Sequence, residues 1–120
     1  MSVRGIRGAT QIEKDDSSLM EAAVVELMSE LMRANSLKVE DLISVIFTVT
    51  QDLTSDFPAA SARAMGLGDV PLLCSTEIPV PGSLPRTIRT LVHCDTTRNQ
   101  QQIVHVYLRG TAVLRKDLAQ

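Results

Sequence analysis

Apolar residues at Met20, Val24, Leu27, Met28 and Leu31 recur at helical spacing, with Glu21, Glu26, Ser29, Glu30 and Arg33 on the wetter side. This single stripe predicts an amphipathic helix from Ser18 to about Arg33. Ser18-Leu19-Met20-Glu21 has the spacing of a capping box at its start, and Asn35 and Ser36 end it. Leu42–Thr50 (LISVIFTVT) is apolar on both faces and reads as an interior strand. Thr87–Cys94 alternates, with Ile88, Thr90, Val92 and Cys94 on one face and Arg89, Leu91 and His93 on the other. Val3–Thr10 (VRGIRGAT) is also a strand. Alternation puts its Arg7 beside Val3, Gly5 and Ala9, and its glycines signal a close approach by another backbone or a ligand.

Three further stretches read as strands: Val70–Ile78, Ile103–Leu108 and a last short piece at Ala112–Leu114. Pro58 suits the first turn of a short helix, Pro58–Met65, which Gly66 terminates. Gln51–Asp56, Pro79–Ser83 and Asp95–Gln101 are loops. The sum is a mixed sheet of about five strands with one long and one short helix, an α+β arrangement. With 120 residues the chain forms one domain, 1–120. A core of that size leaves apolar surface that subunit association would cover.

Composition narrows the function. The formal net charge is -2, and Phe47, Phe57 and Tyr107 are the whole aromatic complement, so neither the basic patch nor the stacking platforms of a nucleic-acid binder are present. No apolar run approaches the roughly 20 residues of a membrane span. Cys74 and Cys94 form neither a disulfide framework nor a metal motif, and Met1–Thr10 lacks the apolar stretch of a signal peptide. A reducing cytoplasm is the expected compartment.

Candidate chemistry concentrates at strand positions. There is no phosphate-binding loop, dinucleotide glycine pattern or nucleophile elbow, and His93 and His105 have no partners at metal-ligand spacing. Arg89 sits inside an otherwise apolar strand, where a guanidinium must find an acceptor or reach water. It and Arg7 either ion-pair within the fold, with Glu77 or Asp95, or bind an anion. Cys74 is a nucleophile or a small hydrophobe, and Glu77 is a solvated or a functional carboxylate. Tyr107 has a hydroxyl to present to a ligand or to satisfy in the core. Together these residues suggest an anion pocket without nucleophile or metal.

The segments VRGIRGAT, DFPAASAR at Asp56–Arg63, VPLLCSTEI at Val70–Ile78, Ile88-Arg89 and HVYLRGTAVLRKDL at His105–Leu118 resemble the small monofunctional chorismate mutases of the AroH type, in one consistent order along the chain. The resemblance implies a homotrimer whose sheets form a pseudo-α/β-barrel, with active sites between subunits. It implies conversion of chorismate to prephenate in aromatic amino-acid biosynthesis, without cofactor or metal.

By the same resemblance Arg7 contacts a substrate carboxylate, Arg89 faces the ether oxygen of the breaking C–O bond, and Cys74 and Glu77 face the ring and its hydroxyl. Tyr107 meets the other carboxylate. Leu73, Cys74, Ser75, Thr76 and Glu77 line the pocket; Leu114 and Arg115 lie near its rim. Phe57, Ala59 and Arg63 form the neighbouring subunit's wall. The sequence departs from the family's habit at Ala60 (commonly lysine), Leu73 (commonly threonine) and Lys116 (commonly proline). Because Cys74 and Glu77 are three apart, strict alternation would send them to opposite faces, so an irregularity near Ser75-Thr76 is expected. The rival readings are a trimeric imine deaminase, which also sets an arginine against a carboxylate, and a metabolite-binding trimer without turnover.

Overall fold

The alternating segment lies at the middle of the sheet. In the computed structural model, which describes residues 1–118 and the side chains of 1–114, strand β4 (Thr87–Thr96) runs between β2 (Leu42–Val49) and β1 (Ser2–Gln11). The full order is β3-β2-β4-β1-β5, with β3 at Leu72–Thr76 and β5 at Val106–Tyr107. β4 is antiparallel to both neighbours, whereas the outer pairs β2–β3 and β1–β5 are parallel. The mixed five-stranded α+β reading holds.

One face of this sheet carries Ile6, Val45, Phe47, Ile88, Val92 and Val106, all buried. Helix α1 (Ser17–Ala34) covers them with Met20, Val24, Leu27, Met28 and Leu31, the stripe read from the sequence. Gly8 permits the contact. A Cβ there would lie 3.0 Å from Thr90 Cγ2 and 3.2 Å from both Leu27 and Leu31 Cδ1 atoms. The close approach signalled by this glycine is therefore the helix's own side chains. Gly8→Ala should destabilise the fold by about 1–3 kcal/mol through overpacking, read as a lower midpoint in urea unfolding. An unchanged midpoint would mean that α1 shifts freely.

Several boundaries moved, each for a local reason. The N-cap of α1 is Asp16, not Ser18: its carboxylate accepts from the Leu19 N–H at 2.9 Å. The short helix α2 spans Pro58–Ala62, and a wider turn, Arg63–Leu67, follows it, with Gly66 at φ 111. β3 is shorter than Val70–Ile78 because its partner strand supplies pairing only from Val45 to Val49. β5 keeps two residues of the expected Ile103–Leu108 strand. At Val104 the backbone N–H and C=O are both taken by the side-chain amide of buried Asn35, at 2.8 and 2.9 Å, so they cannot join the ladder. Ala112–Leu114 is not a strand. Arg109 has φ 56, which ends the extended chain, and Arg109–Leu118 follows as 3₁₀ turns.

The molecule is thus two layers, a sheet and a helical layer, and its thinnest dimension is 20 Å. Among the described residues no α-helix packs on the sheet's second face, where Arg7, Arg89 and Leu91 are exposed.

Candidate active site

Register decides what that face presents. Arg7 pairs with Leu91, Ala9 with Arg89, Thr48 with Arg89, and Ala9 with Tyr107 on the far side. Directly paired residues point the same way. Arg7, Arg89, Leu91, Thr48 and Tyr107 therefore share the face opposite α1, spread over four adjacent strands. Leu73, paired with Ile46, and Ser75, paired with Thr48, belong to the same face through β3.

Glu77 joins them from just beyond β3. Its backbone N–H donates to Val49 O at 2.9 Å, and its carboxylate accepts from the Thr48 hydroxyl at 2.7 Å. The same oxygen lies 3.2 Å from Arg89 Nε. The ion pair weighed in the sequence is thus present, and it uses only Nε. Among the described residues nothing hydrogen-bonds the terminal guanidinium nitrogens, and the Arg89 side chain is 44% exposed against 17% for Glu77. The carboxylate therefore neutralises the guanidinium at its Nε side, and the terminal nitrogens point away from that contact. Thr48 was missed in the sequence, although its place opposite Arg89 follows from alternation once the β2–β4 register is known.

Arg7 is fixed at its backbone, whose N–H donates to His105 Nδ1 at 3.0 Å. His93 Nδ1 lies 3.2 Å from Ser44 Oγ. Both histidines thus make contacts within the fold. Cys94 is buried on the helix side, and burial, with Asp41 and Asp95 nearby, pushes its thiol up and leaves it unreactive.

The expected irregularity at Ser75-Thr76 is absent. Leu72–Thr76 pairs with Val45–Val49 without a break, and the Glu77 N–H continues the pattern. Cys74 therefore points with Phe47 toward the helical layer, away from Glu77. It borders a cavity of about 360 Å³ with Val49, Leu53, Phe57, Pro58 and Thr76. Parallel ladders turn alternate residues' backbone groups to opposite sides. Since Val45 N–H bonds Pro71 O and Glu77 N–H bonds Val49 O, the backbone groups of Leu72, Cys74 and Thr76 face the free edge of β3.

The remaining candidates lie outside the five strands. Phe57 is 68% exposed at the start of α2, and Arg63 is exposed just after it. Ala59 is buried, so its side chain packs inward. α2 packs on α1 and β3, in the helical layer. Leu114 is half-buried in the C-terminal 3₁₀ turns, and the Arg115 side chain lies outside the described residues. Among the described residues no group of three or more His, Cys, Asp or Glu side chains gathers as a metal site. No helix among them is long and apolar enough to cross a membrane.

The domain is α+β, and it sets Arg7 and Arg89 on the same face of its sheet. The match to known proteins makes the class specific. The chain belongs to the type I chorismate mutase family, whose model matches residues 3–118. It is 50% identical over 117 residues to the chorismate mutase AroH of Thermus thermophilus, covering 97% of this chain and 96% of that protein. It is 38% identical over 120 residues to AroH of Bacillus subtilis (strain 168), covering 99% and 94% respectively. Its fold matches a chorismate mutase structure from Clostridium thermocellum with a TM-score of 0.90 at 43% identity, over 92% of this chain and 98% of that one. The chain is accordingly a chorismate mutase, an isomerase, and these matches favour neither the deaminase nor the non-catalytic reading.

Proposed function

We propose that the sheet face opposite α1 is one half of a chorismate-to-prephenate active site and that a neighbouring subunit of a homotrimer closes it. The observation that carries this reading is the gathering of Arg7, Arg89, Glu77 and Tyr107 on one face of the sheet, from the end of β3 across to β5, with the outer edge of Arg89 unused. Arg89 faces the ether oxygen, Arg7 and Tyr107 take carboxylates, and Glu77 pairs with Arg89 beside the ring. Leu73 and Ser75 line the β3 side with their side chains, and Thr76, whose side chain lies with that of Cys74, with its edge-facing backbone. Cys74 contributes through its edge-facing backbone, not its thiol. Leu114 and Arg115 approach the rim.

The rearrangement is unimolecular. It breaks the C–O bond and forms a C–C bond in one cyclic electron shift, so no proton, nucleophile or electron acceptor is required. Two things lower its barrier: holding chorismate in its compact diaxial shape, and placing positive charge where the ether oxygen gains electrons. The second favours the transition state over bound substrate, which is the condition for a higher kcat. Arg7, bonded to a carboxylate that keeps its charge throughout, mainly supplies binding.

The trimer is supported by what one chain leaves uncovered. Leu73 is 62% and Leu91 37% exposed on the sheet face opposite α1. Contiguous apolar surface of this kind marks an interface. Phe57 and Arg63 sit in the opposite layer from Arg89, so they complete a neighbour's site more readily than their own. The expected compartment is the cytoplasm.

Loss of chorismate ultraviolet absorbance on adding purified protein, with prephenate as product, is the expected result. Tight chorismate binding without turnover would instead support the metabolite-binding reading.

A further inference from the structure

We propose that Thr111 is the latch that docks the C-terminal segment Arg109–Leu118 onto β1 and so positions the rim of the active site, an inference that rests on the site assignment above. β5 is only two residues long, so the chain leaves the sheet almost at once. Its last ladder-like bond is Leu108 N–H to Ala9 O, at 2.9 Å. Arg109 then adopts φ 56, a conformation costly for a side-chain-bearing residue, which persists only when the surroundings hold it.

Three contacts do so. The Thr111 hydroxyl, fully buried, lies 3.1 Å from Ala9 O and 2.5 Å from Leu108 O. With one proton it donates to one carbonyl at a time, and both are within reach. Gly110 passes directly over Gln11, whose Nε2 donates to Pro85 O at 2.9 Å; a Cβ on Gly110 would lie 1.9 Å from Gln11 Oε1. The Arg109 guanidinium pairs with Glu26 of α1, Nη2 to Oε2 at 3.0 Å. That pair is solvent-exposed and adds little alone. The buried hydroxyl decides.

The anchoring point gives the latch its functional meaning. Ala9 is paired with Arg89 on one side and with Tyr107 on the other. A segment tied to Ala9 O is tied between two proposed substrate contacts, and within it the backbone carries residues 114 and 115. Thr111 is thus a positioning residue that acts through Leu114 and Arg115.

The test compares Thr111→Val, which keeps the shape and removes the hydroxyl, with Thr111→Ser, which keeps the hydroxyl. Losing one hydrogen bond should raise KM about three- to tenfold with kcat little changed for the valine variant, while the serine variant stays near wild type. In an Arg115→Ala background, itself raised in KM, Thr111→Val should add nothing further. Independent multiplication of the two effects, equal behaviour of Val and Ser, or a wild-type KM for Arg115→Ala would each overturn the latch. Turnover by the wild type and its loss in Arg89→Lys are read separately, so failure of the latch is distinguishable from failure of the site assignment.

Discussion

Replacing Arg89 by lysine is expected to lower kcat by about a hundredfold or more, with a smaller change in KM. A unit charge at ~4 Å from the developing oxyanion is worth ~4 kcal/mol at an effective dielectric of ~20, and each 1.36 kcal/mol is tenfold in rate. Lysine keeps the charge but has a single nitrogen at its tip, so it cannot bond Glu77 through one nitrogen and present others outward. In the structure Arg89 does this by spending Nε on Glu77 Oε2, at 3.2 Å, and leaving its outer edge open. Kinetics followed by chorismate absorbance, with kcat and KM separated, check the prediction. A kcat within a few-fold of wild type would remove Arg89 from the ether oxygen.

That magnitude depends on water being excluded. On one chain the Arg89 side chain is 44% exposed. At the dielectric of bulk water the same contact falls to ~1 kcal/mol. On the proposed trimer reading, a neighbouring subunit covers the face and excludes that water. The second prediction follows: Arg89→Ala and Arg63→Ala chains, each nearly inactive alone, should regain activity when co-folded in equal amounts. Each site would need an intact Arg89 from one subunit and an intact Arg63 from the next. Random assembly of closed homo-oligomers then gives about a quarter of sites intact. Recovery near that fraction supports shared sites. No recovery, with mixed trimers shown to form, would place Arg63 and Arg89 in one subunit's site or remove Arg63 from it.

The sequence by itself determined the elements that depend on neighbours a few residues away. The α1 stripe and the alternation of β4 were legible because burial on one face imposes a period of 3.6 or 2. Mid-strand Arg89 was visible as a residue needing an acceptor, since a buried unpaired guanidinium is too costly to tolerate. The order of the motifs was enough to suggest the family.

What only the tertiary structure decided involves partners distant in the chain. Asn35 shortens β5 by capturing Val104, and a left-handed Arg109 turns the expected Ala112–Leu114 strand into 3₁₀ coil; neither leaves a periodic trace. The uninterrupted β2–β3 register sends Cys74 and Glu77 to opposite faces, although both stood as one pocket lining in the sequence. Thr48 became part of the site only through its bonded neighbour Glu77, 29 residues away. Alternation tells which residues of one strand share a face. Which face is covered by α1, and which strand lies alongside, is set by long-range pairing, and there the chain places Arg7, Arg89 and Tyr107 together on the side opposite α1.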